Sequence, residues 1–177
     1  MTISEKQPLD NLFIRHIKNK NVNSKQQINN NRDKIIEKED NHNGLEVKNQ
    51  ALMLFKEKNF EAAKNQFKLA LQFLMVGSKN YSSVKEQYKQ DVLDVFHHLV
   101  QCSLMASEWK DARDYCTNIL DIDTKNIKAL QQRATANKHL DDIDESILDL
   151  ERALELDPSN KSIKQSLKNY KKKNNST

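Results

Sequence analysis

The sequence predicts an all-α fold: a solenoid of three stacked helical hairpins closed by a C-terminal capping helix. Two observations predict it, an internal register of 34 residues and a composition almost empty of turn formers. Shifting the chain by 34 residues lays Phe96, Leu99, Val100, Trp109, Ala112, Cys116 and Ile119 on Leu130, Arg133, Ala134, Ile143, Ser146, Leu150 and Ala153. Most of these pairs are apolar or small, as expected when each copy buries the same face against its neighbours. Two glycines and two prolines in 177 residues leave little material for β-turns or phosphate-cradling loops. Leu, Lys, Glu, Gln and Ala, all good helix formers, dominate what remains.

The first hairpin is expected over residues 44–76, where Val47, Ala51, Phe60, Ala63, Phe67 and Ala70 repeat the pattern. The second covers 83–124 and the third 126–159. Small residues (Ala51, Ala63, Ala112, Ala134) stand where two helix backbones must approach closely, and Phe60, Trp109 and Ile143 open each second helix and fill the space beside the turn. A single hairpin leaves one face wet, so about three must stack before a continuous core exists. Ala63 and Ala112 lie 49 residues apart, 15 more than the register. Fifteen is close to four helical turns, so whole turns can be added without rotating the buried stripe. The expectation is a lengthened second helix in the first hairpin and a lengthened first helix in the second, broken at Gly77-Ser78. Asp142 should cap the last hairpin's second helix, with Glu145 closing a capping box.

Residues 160–173 should form the capping helix. Ile163, Leu167 and Tyr170 fall on one face of it, while Lys161 to Thr177 carries six basic and no acidic residues. Covering the last hairpin is the first reading of that helix. A basic amphipathic helix also suits nucleic acid, anionic lipid or calmodulin, with nucleic acid disfavoured as a partner for the whole chain. From Gly44 to Asn160 there are 15 basic and 19 acidic side chains, so the total charge of +4 comes mainly from the tail.

Residues 1–43 read as a disordered, asparagine-rich arm: nine asparagines, Phe13 as the one aromatic, and no sustained periodicity. Within it Leu9, Leu12, Phe13 and Ile17 have helical spacing behind Pro8 and Asp10, read as a transient turn of helix, with a docking peptide as the alternative. The start lacks the basic-then-apolar layout of a secretory peptide, and the longest apolar stretch, Phe73 to Val76, is far short of a membrane span. A cytoplasmic protein is expected.

No enzyme motif is visible: no Walker loop, nucleophile elbow or HExxH. Cys102 and Cys116 fall on opposite helices of the second hairpin, without a CxxC, and read as reduced core residues. His97 and His98 are adjacent, so a helix points them about 100° apart and away from a common metal. Neither a metal nor a cofactor is expected, and the chain reads as a binder, not an enzyme.

The 34-residue register is that of tetratricopeptide repeats (TPR). The stretch from Asn126 to Lys173 resembles the third repeat and following helix of TPR co-chaperones that bind the C-terminal tails of Hsp90 and Hsp70. The long first-to-second spacing resembles the TPR domains of the large immunophilins and the aryl-hydrocarbon-receptor-interacting protein family. An immunophilin also carries a prolyl isomerase domain, for which 43 polar residues are too few.

The resemblance implies an interaction module, an adaptor or co-chaperone, binding a protein or peptide in a concave groove. In that family a five-residue clamp holds the terminal carboxylates of Glu-Glu-Val-Asp, because two anions must be met by cations and amide donors. Carried onto this chain, Lys48 is present but Leu52 replaces the following Asn. His98 replaces the second repeat's Asn, Lys128 is present, and Gln132 replaces the Arg. Arg133 lies one position further round the helix. The candidate peptide-binding set is therefore Lys48, His98, Lys128, Gln132 and Arg133, with weak binding of an Hsp90 or Hsp70 tail expected.

Overall fold

The computed structural model describes residues 39–174. The chain divides into two units, Met1–Glu39 and Asp40–Thr177, and the helical repeats belong to the second. The expected short helix around Leu9 to Ile17 lies outside the described residues.

Seven α-helices run in order among the described residues: α1 (39–56), α2 (Phe60–Leu74), α3 (Glu86–Met105), α4 (Trp109–Ile122), α5 (Ile127–His139), α6 (Ile143–Leu156) and α7 (Lys161–Asn174). A short 3-10 helix, Tyr81–Ser83, interrupts the connection between α2 and α3. From α2 onward each helix packs on the next, and α3 also touches α5. The result is a solenoid of hairpins α1/α2, α3/α4 and α5/α6, with α7 laid over α6.

Most of the residues that set the register are buried, with Trp109, Arg133 and Ile143 half-buried. Ala63 and Ala112 and their counterpart Ser146 are fully enclosed, and so are Ala51 and Ala134. Any larger side chain there would hold two helices apart. Phe67, Phe96, Leu99, Ile119 and Leu130 fill the space between them. Ile163 of α7 is fully buried, with Leu167 and Tyr170 packed beside it, so α7 closes the last hydrophobic face.

Each hairpin turn is the same device. Lys58, Ser107 and Asp141 adopt positive φ of 63°, 57° and 63°. The following N–H reaches back five residues: Asn59 to Leu54 O at 3.0 Å, Glu108 to Ser103 O at 2.8 Å and Asp142 to Asn137 O at 2.9 Å. This is a Schellman ending, which satisfies carbonyls the helix leaves orphaned, here with no glycine at the left-handed position. The connections between hairpins repeat as well. Asn126 and Asn160 cap α5 and α7 by accepting from Ala129 N and Ile163 N, and each donates its amide to Asp123 or Asp157 at 3.0 Å.

The 15-residue excess is distributed differently from the expectation. Helix α2 has 15 residues, against 14 in α4 and α6, so it is not appreciably lengthened. Helix α3 has 20 residues against 13 in α5, and the remainder goes into the connection 75–85. The chain leaves the helix after Leu74 because Gly77 takes φ 80°, which ends any continuation, and Asn80 caps the 3-10 helix by accepting from Ser83 N at 2.9 Å.

Two further expectations are corrected. Helix α1 is already formed at residue 39, so the last residues of the supposed arm are ordered: Asn41 is buried, and Gly44 sits against α2 so closely that a Cβ there would lie 2.9 Å from Leu74 Cγ. At α6 the Asp142 side chain makes no capping bond and lies 3.5 Å from Arg113 Nη1 instead, while Ser146 Oγ donates to Asp142 O. A guanidinium in reach competes with the backbone N–H groups for the same carboxylate.

Candidate functional site

The first helices of the hairpins adjoin one another: α3 touches α5, and Lys48 ties α1 to α3. Lys48 of α1 reaches across to α3, where its ammonium lies 2.6 Å from Asp91 Oδ1 and 3.5 Å from Asp94 Oδ2. Its side chain is only 13 % exposed, so the cation is held against α3.

His98 is fixed in the seam between the first hairpin and α3. Its Nδ1 lies 2.8 Å from Asp94 O, and since a carbonyl only accepts, Nδ1 is the donor of that bond. The ring stacks on Phe67 at 5.0 Å and meets the edge of Phe55 at 5.1 Å. Its neighbour His97 is half-buried, with Nδ1 enclosed and unpartnered. Burial, and then the nearby Lys128 charge, hold the His97 imidazole below its usual pKa.

On α5, Lys128 is exposed at the start of the helix, and Gln132 one turn later is half-buried with its amide oxygen enclosed and unpartnered. Arg133 points away from the other four candidates, toward the second helices. Its Nε and Nη2 donate to the two oxygens of Asp149 in α6 at 2.9 and 2.6 Å, and Nη1 donates to Thr117 Oγ1 in α4 at 3.2 Å. Hydrogen bonding to Asp149 raises its pKa further against the opposing effect of burial. Lys138 lies 5.0 Å over the Tyr170 ring and joins α5 to the capping helix.

Lys48 and His98 thus share one neighbour, Asp94 of α3; Lys128 of α5 is close enough to act on His97; Gln132 stands one turn further along α5; and Arg133 lies in the packing between α4, α5 and α6. Asp91 and Asp94 were the residues that sequence reasoning missed. The signal for Asp94 was available: the 34-residue shift that pairs Phe96 with Leu130 lays Asp94 on Lys128. One repeat therefore presents an acid where the next presents a base.

Cys102 and Cys116 are free, buried thiols, pushed up to about 11 and about 12 mainly by burial. Among the described residues no group of three or more His, Cys, Asp or Glu side chains is arranged to hold a metal ion. No described helix is long and apolar enough to cross a membrane.

This fold is a TPR solenoid of three repeats with a capping helix. No protein-family model matches the chain. It is 31 % identical over 123 residues to the rat peptidyl-prolyl cis-trans isomerase FKBP4, a match covering 68 % of this chain and 26 % of that protein. The chain thus spans about a quarter of that relative. Among solved structures it superposes on the C-terminal TPR-containing domain of a Plasmodium falciparum FK506-binding protein with a TM-score of 0.67, at 23 % identity, covering 79 % of this chain and 93 % of that one. The second TPR domain of human RPAP3, in complex with the Hsp70 peptide SGPTIEEVD, matches with a TM-score of 0.58 and 22 % identity over 74 % of this chain and 98 % of that one.

Proposed function

We propose that this chain is a protein-protein interaction module, an adaptor of the co-chaperone kind, that holds an extended peptide along α1, α3 and α5. The observation that carries this reading is the set of side chains on those helices. The first helices α1, α3 and α5 present half-buried polar groups (Lys48, His98, Gln132) and an exposed cation (Lys128). The similarity to the RPAP3 domain, which holds an acidic C-terminal peptide, supports the choice of ligand class. We read the chain as a binder without catalytic activity and place it in the cytoplasm.

Unmodified Hsp90 or Hsp70 tails are the alternative ligands, and the groove is poorly equipped for them. Leu52 offers no donor, Gln132 brings no charge, and Lys48 is engaged with Asp91 and Asp94. Each missing charge-assisted hydrogen bond removes about 1.5–3 kcal/mol. Titration of SGPTIEEVD into the full chain by calorimetry should give a Kd of about 10 µM or weaker, rising with salt. Replacing Asp91 and Asp94 by Asn should free Lys48 and tighten binding, whereas Lys48→Ala/Lys128→Ala should weaken the wild-type interaction by no more than about fivefold. Submicromolar binding to the wild type would make the chain a reader of chaperone tails instead.

A further inference from the structure

The 15-residue excess between the first two repeats builds something the third repeat lacks. Where α4 passes to α5 directly, the connection 75–85 borders an open cleft of about 670 Å³ between α2 and α4. Its floor is aromatic: the buried Phe96 ring is met edge-on by Tyr81 at 4.9 Å and flanked by Tyr115 at 6.2 Å. Leu71 and Met75 complete the apolar wall.

Lys68 and Lys79 stand at the rim, exposed, and none of the residues lining the cleft is acidic. Around it, the domain between Gly44 and Asn160 is net acidic, so two cations without a lining carboxylate form a local field of opposite sign. The rim is also held in place. Ser83 Oγ accepts from Lys79 N and Asn80 N at 3.1 Å each and donates to Asn80 O at 2.9 Å, and Ser82 Oγ donates to Asn80 Oδ1 at 2.9 Å. Lys79 and Tyr81 are therefore presented by a stapled loop.

We propose that this cleft is a second binding site, separate from the groove, for a small amphipathic carboxylate whose acyl or aryl body lies on Phe96, Tyr81 and Tyr115 and whose anionic group meets Lys68 and Lys79. The cleft is open along one side, so a ligand would lie on it with one face in water, and an apolar floor with a few convergent charges at one edge is how such sites orient a ligand. The Tyr115 phenol, pushed up to about 12 by burial and then by the nearby Asp111 carboxylate, is neutral and can donate a hydrogen bond, while the anionic group is met at the other side of the cleft by Lys68 and Lys79. Apart from Phe96, which α3 buries beneath it, the site is made from α2, α4 and the inserted connection and shares no residue with the groove candidates, so it stands whether or not the groove reading does.

The test uses the full chain and the fluorophore anilinonaphthalene sulfonate, an aryl anion, as probe. Binding should be saturable and one-to-one, should be displaced by decanoate, and should be indifferent to decyltrimethylammonium. Lys68→Glu/Lys79→Glu should weaken it at least tenfold. Gln72→Trp, at an exposed lining position, should block the mouth and remove binding. Both variants should melt with the wild type, since the three replaced side chains are exposed. Absence of saturable binding, equal displacement by the cationic detergent, or wild-type affinity in both variants would overturn the proposal.

Discussion

Arg133→Ala decides whether that arginine holds the solenoid together or serves the groove. Asp149 is 6 % exposed and meets the guanidinium through both oxygens, while Arg133 retains 22 % exposure. Truncating the arginine leaves a buried carboxylate without its cation, a change that costs about 3–5 kcal/mol for a fully buried pair. Water reaching the space vacated by a partly exposed guanidinium reduces that to about 2–4 kcal/mol. Against a total stability of about 5–15 kcal/mol this is a large fraction, and for a domain of this size it lowers the melting midpoint by roughly 10 °C. Urea unfolding followed by far-UV circular dichroism measures it directly. The double variant Arg133→Leu/Asp149→Leu should recover most of the loss, since replacing both charges by apolar groups removes the unpaired carboxylate. An Arg133→Ala protein that loses less than about 1 kcal/mol yet binds peptide more weakly would refute the assignment.

Three further outcomes are expected. Gly44→Ala, which in an open helix would gain about 1 kcal/mol, should gain nothing, and Gly44→Val should lose about 1–3 kcal/mol, because the added Cβ meets Leu74 and Phe73 at 2.9–3.0 Å; thermal melts of the two variants check this. Ile163→Asp/Leu167→Asp should destabilise the domain by about 3–5 kcal/mol through exposure of the α6 face, and a melt unchanged from wild type would return α7 to the status of a ligand-binding tail. His97 has a folded pKa below its unfolded value of about 6.5, so below that pH the unfolded chain takes a proton the folded chain refuses, and stability falls as pH drops from 7.5 toward 5.5; His97→Phe should flatten that part of the pH profile of the urea midpoint.

The register was legible because it is enforced by volume. Ala63, Ala112 and Ser146 occur where nothing larger fits, and a size constraint repeated at fixed spacing survives in a single sequence. Arg133 stands as a groove candidate in the sequence, and its packing role was not legible: the shift lays it on Leu99, but that Leu99 is fully buried is seen only in the structure. The fate of the 15-residue excess was not legible either, because adding whole turns preserves the buried stripe whether or not the helix continues. The break at Gly77-Ser78 is legible from the glycine, and Gly77 does take positive φ, but periodicity does not show that α2 stops at Leu74 and that the excess goes into α3 and the connection. Asp142 illustrates a different limit. Its spacing to Glu145 satisfies a capping pattern, but the carboxylate is in reach of Arg113, a residue of the previous hairpin that local sequence cannot see.

The clamp positions show why matching residue types is not the same as matching chemistry. Lys48 stands where a carboxylate-binding lysine should, yet its ammonium already has two carboxylates within 3.5 Å. An incoming peptide carboxylate would have to displace Asp91, so it gains one ion pair by breaking another, and it then lies beside two uncompensated aspartates. The exchange contributes close to nothing, or costs. Lys128 is exposed, and an ion pair with a solvated lysine is worth about 0–1 kcal/mol. Micromolar affinity requires about 8 kcal/mol. The lysines supply a small part of that, so a partner that binds this groove tightly must draw its affinity from contacts other than a terminal carboxylate. Asp91 and Asp94 on α3, next to Lys128 on α5, give the groove an acidic strip beside a basic one. A peptide complementary to both would place a donor or cation over α3 and an acid over α5, an order of charges that an all-acidic tail does not have.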